Sequence, residues 1–261
     1  MNNLSVPGER RNMLLDKWYA DAVVDDRLTV LYRARLHLGP LSWGYQGCLR
    51  NGSAREGRFS WNRPRDGLPR LSAQDRQLVL ATASGPAFWQ YDNSRAFELW
   101  SDGRQRVVWE PVVRNGDVSG SLCGRGYAER LTLDIMPWKL GLRQLWWGRF
   151  CGARHSLIWI IWEGRIPRRL AVVDGEELAD VTATEHCILA GDSRLDIVDA
   201  ELVADAPLGS GALARMPWPK KLAPAHFLGG QEVKWFGQGI LARSGAVVDR
   251  GSVVHERVDW S

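Results

Sequence analysis

The sequence predicts an all-β chain of two tandem antiparallel β-barrel domains related by internal duplication. Three observations carry that prediction. Segments rich in β-branched, aromatic or alternating residues recur along the whole chain, with Gly-containing turn pairs between them. Helix signals are few. And one pattern occurs twice: Trp109 leads to Gly124-Arg-Gly-Tyr-Ala-Glu129-Arg130-Leu131, and Trp235 leads to Gly251-Ser-Val-Val-His-Glu256-Arg257-Val258. Both copies read Gly, four residues, Glu, Arg, aliphatic. The starts of the halves echo more weakly, with Trp18 before the apolar run from Leu28 and Trp147 before the run from Leu157 at the same distance. Two copies of roughly 130 residues suit two similar domains, not a solenoid of short repeats.

In chain order, a short helix is expected over Glu9 to Tyr19. Strands follow over Leu28 to Leu38, Gln77 to Ala83, Phe97 to Trp100, Arg106 to Val113 and Tyr127 to Ile135. The second half adds Ser156 to Trp162, Arg169 to Val173, Asp196 to Val203 and Val253 to Trp260. Turn formers stand at Asn51-Gly52, Asp66-Gly67, Asp102-Gly103, Asn115-Gly116, Asp174-Gly175 and Ser244-Gly245. Asp102-Gly103 and Asn115-Gly116 lie between apolar runs, where tight hairpins are expected. This spacing suits barrels or sandwiches. The expected division falls near Pro137 to Gly141, giving domains 1–138 and 139–261.

Composition narrows the function. The chain has 261 residues, 45% hydrophobic and 25% charged, as an ordinary soluble globular protein does. The net charge of +4 is mild and its Arg residues are scattered, so no nucleic-acid partner is expected. Cys48, Cys123, Cys151 and Cys187 form no zinc pattern, and no metal is expected. The N-terminus lacks an apolar signal core, and the longest apolar stretch, Leu157 to Trp162, is too short to span a bilayer. The expectation is a cytoplasmic protein with free thiols and no integral membrane segment. The P-loop, the dinucleotide-binding Gly motif, G-x-S-x-G and H-E-x-x-H are all absent, so no cofactor is expected. Fourteen Trp is a surplus that either fills a β-core or lines a cavity for an apolar ligand.

Strand periodicity sharpens the site. Tyr127, Glu129, Leu131 and Leu133 share one face, and Arg130 points the other way. Glu256 likewise shares a face with Val254, Val258 and Trp260. A buried carboxylate is costly unless paired or neutralised, so each Glu needs an Arg, hydrogen-bond donors, or a raised pKa.

The segment that joins the halves carries a resemblance. Gly124-Arg-Gly126-Tyr127-Ala-Glu129, then Pro137-Trp138, then Trp147-Gly148-Arg149, then an apolar Trp-bearing strand, resembles the lipocalin-like superfamily of carotenoid 1,2-hydratases. That superfamily includes lipocalin-like Diels–Alderases, and tocopherol cyclases are similar in architecture. The closing stretch from Gly251 to Trp260 resembles the last strand of the group. The resemblance implies two lipocalin-like barrels and chemistry on polyenes and other apolar molecules without metal or nucleotide. Where the carotenoid hydratases carry a His/Asp-rich sequence, this chain reads Ala128-Glu129-Arg130, which leaves hydration, cyclisation and isomerisation open.

The candidate catalytic residues are Glu129, Tyr127 and Arg149; the candidate substrate-binding residues are Trp138, Trp147 and Glu256. A carboxylic acid in an apolar pocket stays protonated near neutral pH and can donate. Each Trp face can stabilise a passing cation by about 0.5–2 kcal/mol. A pericyclic or isomerising reaction needs only a shaped pocket and a donor or two. Each residue also has a structural reading: an ion pair between Glu129 and Arg149, core packing for Tyr127, packing between the domains for Trp138 and Trp147. Two other functions compete, a non-catalytic carrier of an apolar ligand and a sugar-binding face at Trp89-Gln-Tyr-Asp-Asn93. An inward acid favours the enzyme, because a carrier has little use for it.

Overall fold

Two antiparallel sheets account for nearly all of the regular structure. The computed structural model describes residues 13–50, 56–61, 68–91, 95–210 and 223–260. The first sheet is built from β1 (Met13–Val24), β2 (Arg27–Leu38), β3 (Leu41–Arg50), β4 (Glu56–Trp61), β5 (Arg70–Ser72), β6 (Gln77–Thr82), β7 (Gly85–Gln90), β8 (Phe97–Ser101), β9 (Arg106–Gly120) and β10 (Gly124–Leu133). The second comprises β11 (Leu142–Gly152), β12 (Ser156–Gly164), β13 (Arg168–Val173), β14 (Glu176–Leu178), β15 (Val181–Ala183), β16 (Cys187–Ala190), β17 (Ser193–Pro207), β18 (Gln231–Arg243) and β19 (Ala246–Asp259). A turn of 3-10 helix, Pro137–Leu140, joins the two. No helix among the described residues is long and apolar enough to cross a membrane.

The sheets share one plan. Their strand orders are β4-β3-β2-β1-β10-β9-β7-β6-β5 and β14-β13-β12-β11-β19-β18-β17-β16-β15, with β8 attached to β9 as an extra strand. In each, the last strand returns to lie beside the first. Tyr19 pairs with Glu129, and Trp147 with Glu256, so the two Glu hold equivalent register positions. Trp18 therefore corresponds to Trp146, one residue off the sequence echo. Trp109 faces Leu131 whereas Trp235 faces His255, so these two Trp are not register equivalents.

Each sheet curls around an interior. Trp18, Ala20 and Leu31 meet Leu78, Leu80 and Trp89 inside the first barrel. Trp146, Phe150 and Trp159 meet Ile188, Leu195 and Leu241 inside the second. The largest cluster belongs to neither interior. It joins Tyr19, Val30, Tyr32, Trp109 and Tyr127 of the first sheet to Trp147, Ile158, Ile160 and Val254 of the second. The outer faces of the central strands thus pack against each other and form a seam between the barrels.

This arrangement explains where the sequence reading fails. The helix expected from Glu9 is strand over its described part, because β1 begins at Met13. Trp18 to Ala22 are all buried, one side toward the barrel interior and the other toward the seam, so β1 lacks the alternation that marks a strand. Asn115-Gly116 is not a turn but part of β9, which runs on to Gly120. A Cβ on Gly116 would lie 2.2 Å from the Gln90 carbonyl oxygen, so this Gly serves a close backbone approach. Asp102-Gly103 does join two strands, but through a four-residue loop, Asp102 to Gln105, whereas the turn formers Asp174-Gly175 and Ser244-Gly245 make two-residue hairpins with both residues at positive φ. Asn51-Gly52 and Asp66-Gly67 lie outside the described residues. So do Asp92 and Asn93, while Trp89 is wholly buried and offers no face to a sugar.

Candidate active site

Glu129 lies on β10, on the face turned to the seam, and is 5% exposed. Three donors from three strands converge on its Oε2: Trp109 Nε1 at 2.5 Å, the Tyr127 hydroxyl at 2.8 Å and Trp147 Nε1 at 2.9 Å. Tyr127 and Glu129 share a face because they are two residues apart on one strand. Trp109 comes from the neighbouring β9, and Trp147 reaches across from β11. Burial raises the Glu129 carboxyl above its ordinary range, against the pull of Lys17 and the three donors. With Oε2 occupied as an acceptor, a proton on this group belongs on Oε1. Burial, the Glu129 charge and the hydrogen bond to it also push the Tyr127 phenol well up, so Tyr127 stays a donor.

Arg149 does not pair with Glu129. It is held by Asp21 of β1, Nε to Oδ2 and Nη2 to Oδ1, both at 3.0 Å. Its Nη1 donates to the Ser252 carbonyl at 2.8 Å and hydroxyl at 2.7 Å. Burial works against the cation, but Asp21 outweighs it and the guanidinium is held above its ordinary range. Asp21 also accepts from the Tyr19 hydroxyl at 2.9 Å and the Tyr127 backbone N–H at 3.2 Å. Gly126 permits this approach, since a Cβ there would lie 1.9 Å from the Asp21 carbonyl oxygen. That carbonyl takes the Trp89 indole N–H at 2.7 Å.

Glu256 holds the equivalent register position in the second sheet but has a different partner. Lys234 Nζ lies 2.5 Å from its Oε2 and donates to the Tyr32 hydroxyl at 2.7 Å. The same ammonium stands 5.3 Å from the Tyr32 ring centroid, 5.7 Å from Tyr19 and 5.9 Å from Trp147. Tyr19 is edge-on to Trp147 at 4.8 Å between centroids. Trp138 stands apart from this network. Its ring meets Phe227, which stacks on Trp260.

Of the six candidates, the seam therefore joins Glu129, Tyr127 and Trp147 directly. Arg149 sits beside them through Asp21 and Tyr127, and Glu256 through Lys234. Sequence reasoning missed Asp21, Tyr19, Trp109 as a donor, and Lys234. Asp21 and Tyr19 have the correct spacing to share a face, but only once β1 is read as a strand. The four cysteines are free, and no cluster of His, Cys, Asp or Glu among the described residues could hold a metal.

Chemically, the seam holds two buried carboxyls in opposed environments. Asp21 is bound to a guanidinium through both oxygens. Glu129 meets only neutral donors, and burial favours its protonated form. Burial thus leaves Glu129 as a carboxyl that can hold and exchange a proton.

No family model matches the chain, and no curated protein matches it in sequence. Its fold does have solved counterparts. CghA, solved with Sch210972, is similar at a TM-score of 0.53 and 8% identity, over 95% of this chain and 89% of that one. Kievitone hydratase from Nectria haematococca is similar at a TM-score of 0.52 and 7% identity, over 94% of this chain and 89% of that one. At such identities the likeness is one of fold: both halves of the chain take part in the same two-barrel architecture.

Proposed function

We propose that this chain is a cofactor-independent enzyme that hydrates, cyclises or isomerises an apolar polyene, terpenoid or polyketide-like substrate, using Glu129 as proton donor. One observation carries the reading: a carboxyl 5% exposed whose hydrogen-bond partners, Trp109, Tyr127 and Trp147, are all neutral. The neighbouring cation Arg149 is engaged by Asp21 and does not hold Glu129 ionised. In this reading Glu129 Oε1 gives its proton to an alkene carbon or a carbonyl oxygen of the substrate. The three hydrogen bonds on Oε2 strengthen as the carboxylate forms, which stabilises the ionised product of the transfer. Arg149 is a positioning residue: through Asp21 it fixes the Tyr127 backbone and the Tyr19 hydroxyl. Trp138 and Glu256 have no part in the proposed step. The shared fold with a protein named a hydratase, and with CghA solved with Sch210972, supports an enzyme of this kind.

The test is turnover in D2O against a panel of polyenes and terpenoids, with products read by mass spectrometry. The wild type should place solvent deuterium on carbon during hydration or cyclisation of an alkene. Glu129→Gln keeps the shape and removes the acid, and should lose roughly 10² or more in rate while still binding ligand. Full turnover by a folded Glu129→Gln protein would remove the acid role. Binding by the wild type with no product would favour the alternative, a carrier of apolar ligands.

A further inference from the structure

The seam is not the only place where a charge is buried. Leu31 and Arg33 of β2 face the interior of the first barrel, on the opposite side of the strand from Tyr32. A cavity of about 320 Å³ opens there, lined among others by Thr29, Leu31, Arg33, Gln46, Cys48 and Leu122. Arg33 is 6% exposed. Its Nη1 donates to the Tyr32 carbonyl at 2.9 Å and its Nη2 to the Ala81 carbonyl at 2.6 Å. Nε is buried without a partner, and no carboxylate among the described residues pairs with this guanidinium.

The contrast with Arg149 is informative. Both guanidiniums are buried, but Arg149 has Asp21 on two of its nitrogens and Arg33 has only neutral carbonyls. A buried cation without an anion is costly, and burial draws the Arg33 pKa down. Two of the five guanidinium N–H donors are spent on the carbonyls, which leaves Nε–H and the remaining Nη hydrogens for a bidentate acceptor. The walls combine hydroxyls and an amide with aliphatic surface, as at Thr29 and Gln46 beside Leu31 and Leu122. The volume lies at the low end for small-molecule sites.

We infer that the interior of the first barrel is a binding site for a small amphiphilic carboxylate, whose anionic head pairs with Arg33 and whose apolar body lies along Leu31 and Leu122. This site is separate from the seam and stands whether or not Glu129 is catalytic.

Sodium octanoate is a suitable probe, with octan-1-ol and octylamine as neutral and cationic controls of equal chain length. By calorimetry, octanoate should bind the wild type about ten- to a hundredfold more tightly than octan-1-ol, the scale of one charge-assisted interaction. Octylamine should bind more weakly than either. Arg33→Met should lose the preference for octanoate over octan-1-ol. Cys48 supplies a readout that needs no variant: octanoate should slow its alkylation by iodoacetamide several-fold while leaving exposed Cys123 unaffected, as resolved by peptide mapping. Equal affinity for octanoate and octan-1-ol, a preference that survives Arg33→Met, or octanoate binding without Cys48 protection would each overturn the assignment.

Discussion

Asp21 and Arg149 meet across the seam through two hydrogen bonds of 3.0 Å, and neither side chain has exposed surface. A pair this deep is costly to halve. Asp21→Asn keeps one acceptor oxygen but removes the counter-charge of a wholly buried guanidinium, and should destabilise the protein by about 3–5 kcal/mol. The double variant Asp21→Leu/Arg149→Met removes both charges and should recover most of that loss. Urea unfolding of the three proteins checks it, and an Asp21→Asn protein with the wild-type midpoint would refute the cost assigned here.

Glu129 should give stability an unusual slope with pH. Its folded pKa is raised, so between its unfolded value and that raised value the folded state binds more protons than the unfolded one. Its contribution is fully present below the unfolded pKa, about 4.3, and is lost as pH rises through the folded one. Relative to wild type, Glu129→Gln should therefore gain stability as pH increases. Melting temperatures of both proteins from pH 4 to 8 would show it, and a relative gain toward low pH would mean that Glu129 is held ionised.

His255 should give the opposite slope. It lies in the second barrel between the Trp146 and Trp235 rings, with centroids at 5.1 and 5.5 Å, and burial lowers its pKa from 6.5 to about 4. The folded state then binds fewer protons than the unfolded state in that window, so stability falls as pH drops from about 6.5 toward 4. At pH 5 the loss should be on the order of 2 kcal/mol. His255→Gln should flatten this part of the curve, and an imidazole NMR titration centred near 6.5 in the folded protein would disprove it.

Gly148 separates Trp147 from Arg149, and a Cβ there would lie 2.2 Å from Trp159 Cζ2 and 2.6 Å from the Val254 carbonyl oxygen. Gly148→Ala should cost about 3 kcal/mol or more through overpacking, since one of the atoms it meets is backbone. Gly245, at φ +84 with nothing within 4 Å, is the control. There the change to Ala should cost only the conformational preference, about 1–2 kcal/mol. Equal unfolding midpoints for the two variants would show that the Trp159 contact gives way freely.

How legible this was depended on how many sides of a strand are covered. β13 and β17, and the hairpins at Asp102-Gly103 and Asp174-Gly175, could be read because apolar runs and turn residues mark their ends. β1 could not, because Tyr19 and Asp21 are buried at the seam while Trp18 and Ala20 are buried in the barrel. That Glu129 shares a buried face with Tyr127 followed from period-two spacing alone, but that this face is the seam and not a barrel interior did not. Its donors did not, because Trp109 and Trp147 belong to other strands and their pairing is set by register. For the same reason Arg149 could be expected to find a buried acid, but not which one.

Trp18 to Ala22, Gly126 to Glu129, Trp146 to Gly152 and Val253 to His255 are buried throughout, so the central strands have stretches with no outside. In an ordinary barrel every second position faces water and is free to drift. Here the exposed positions are found in the loops and on stretches away from the seam, such as β5, β14 and the middle of β17. Two descendants of one ancestor could then differ over most of their length and still agree along these segments. Any attempt to trace the ancestry of this chain should weigh them ahead of its overall identity.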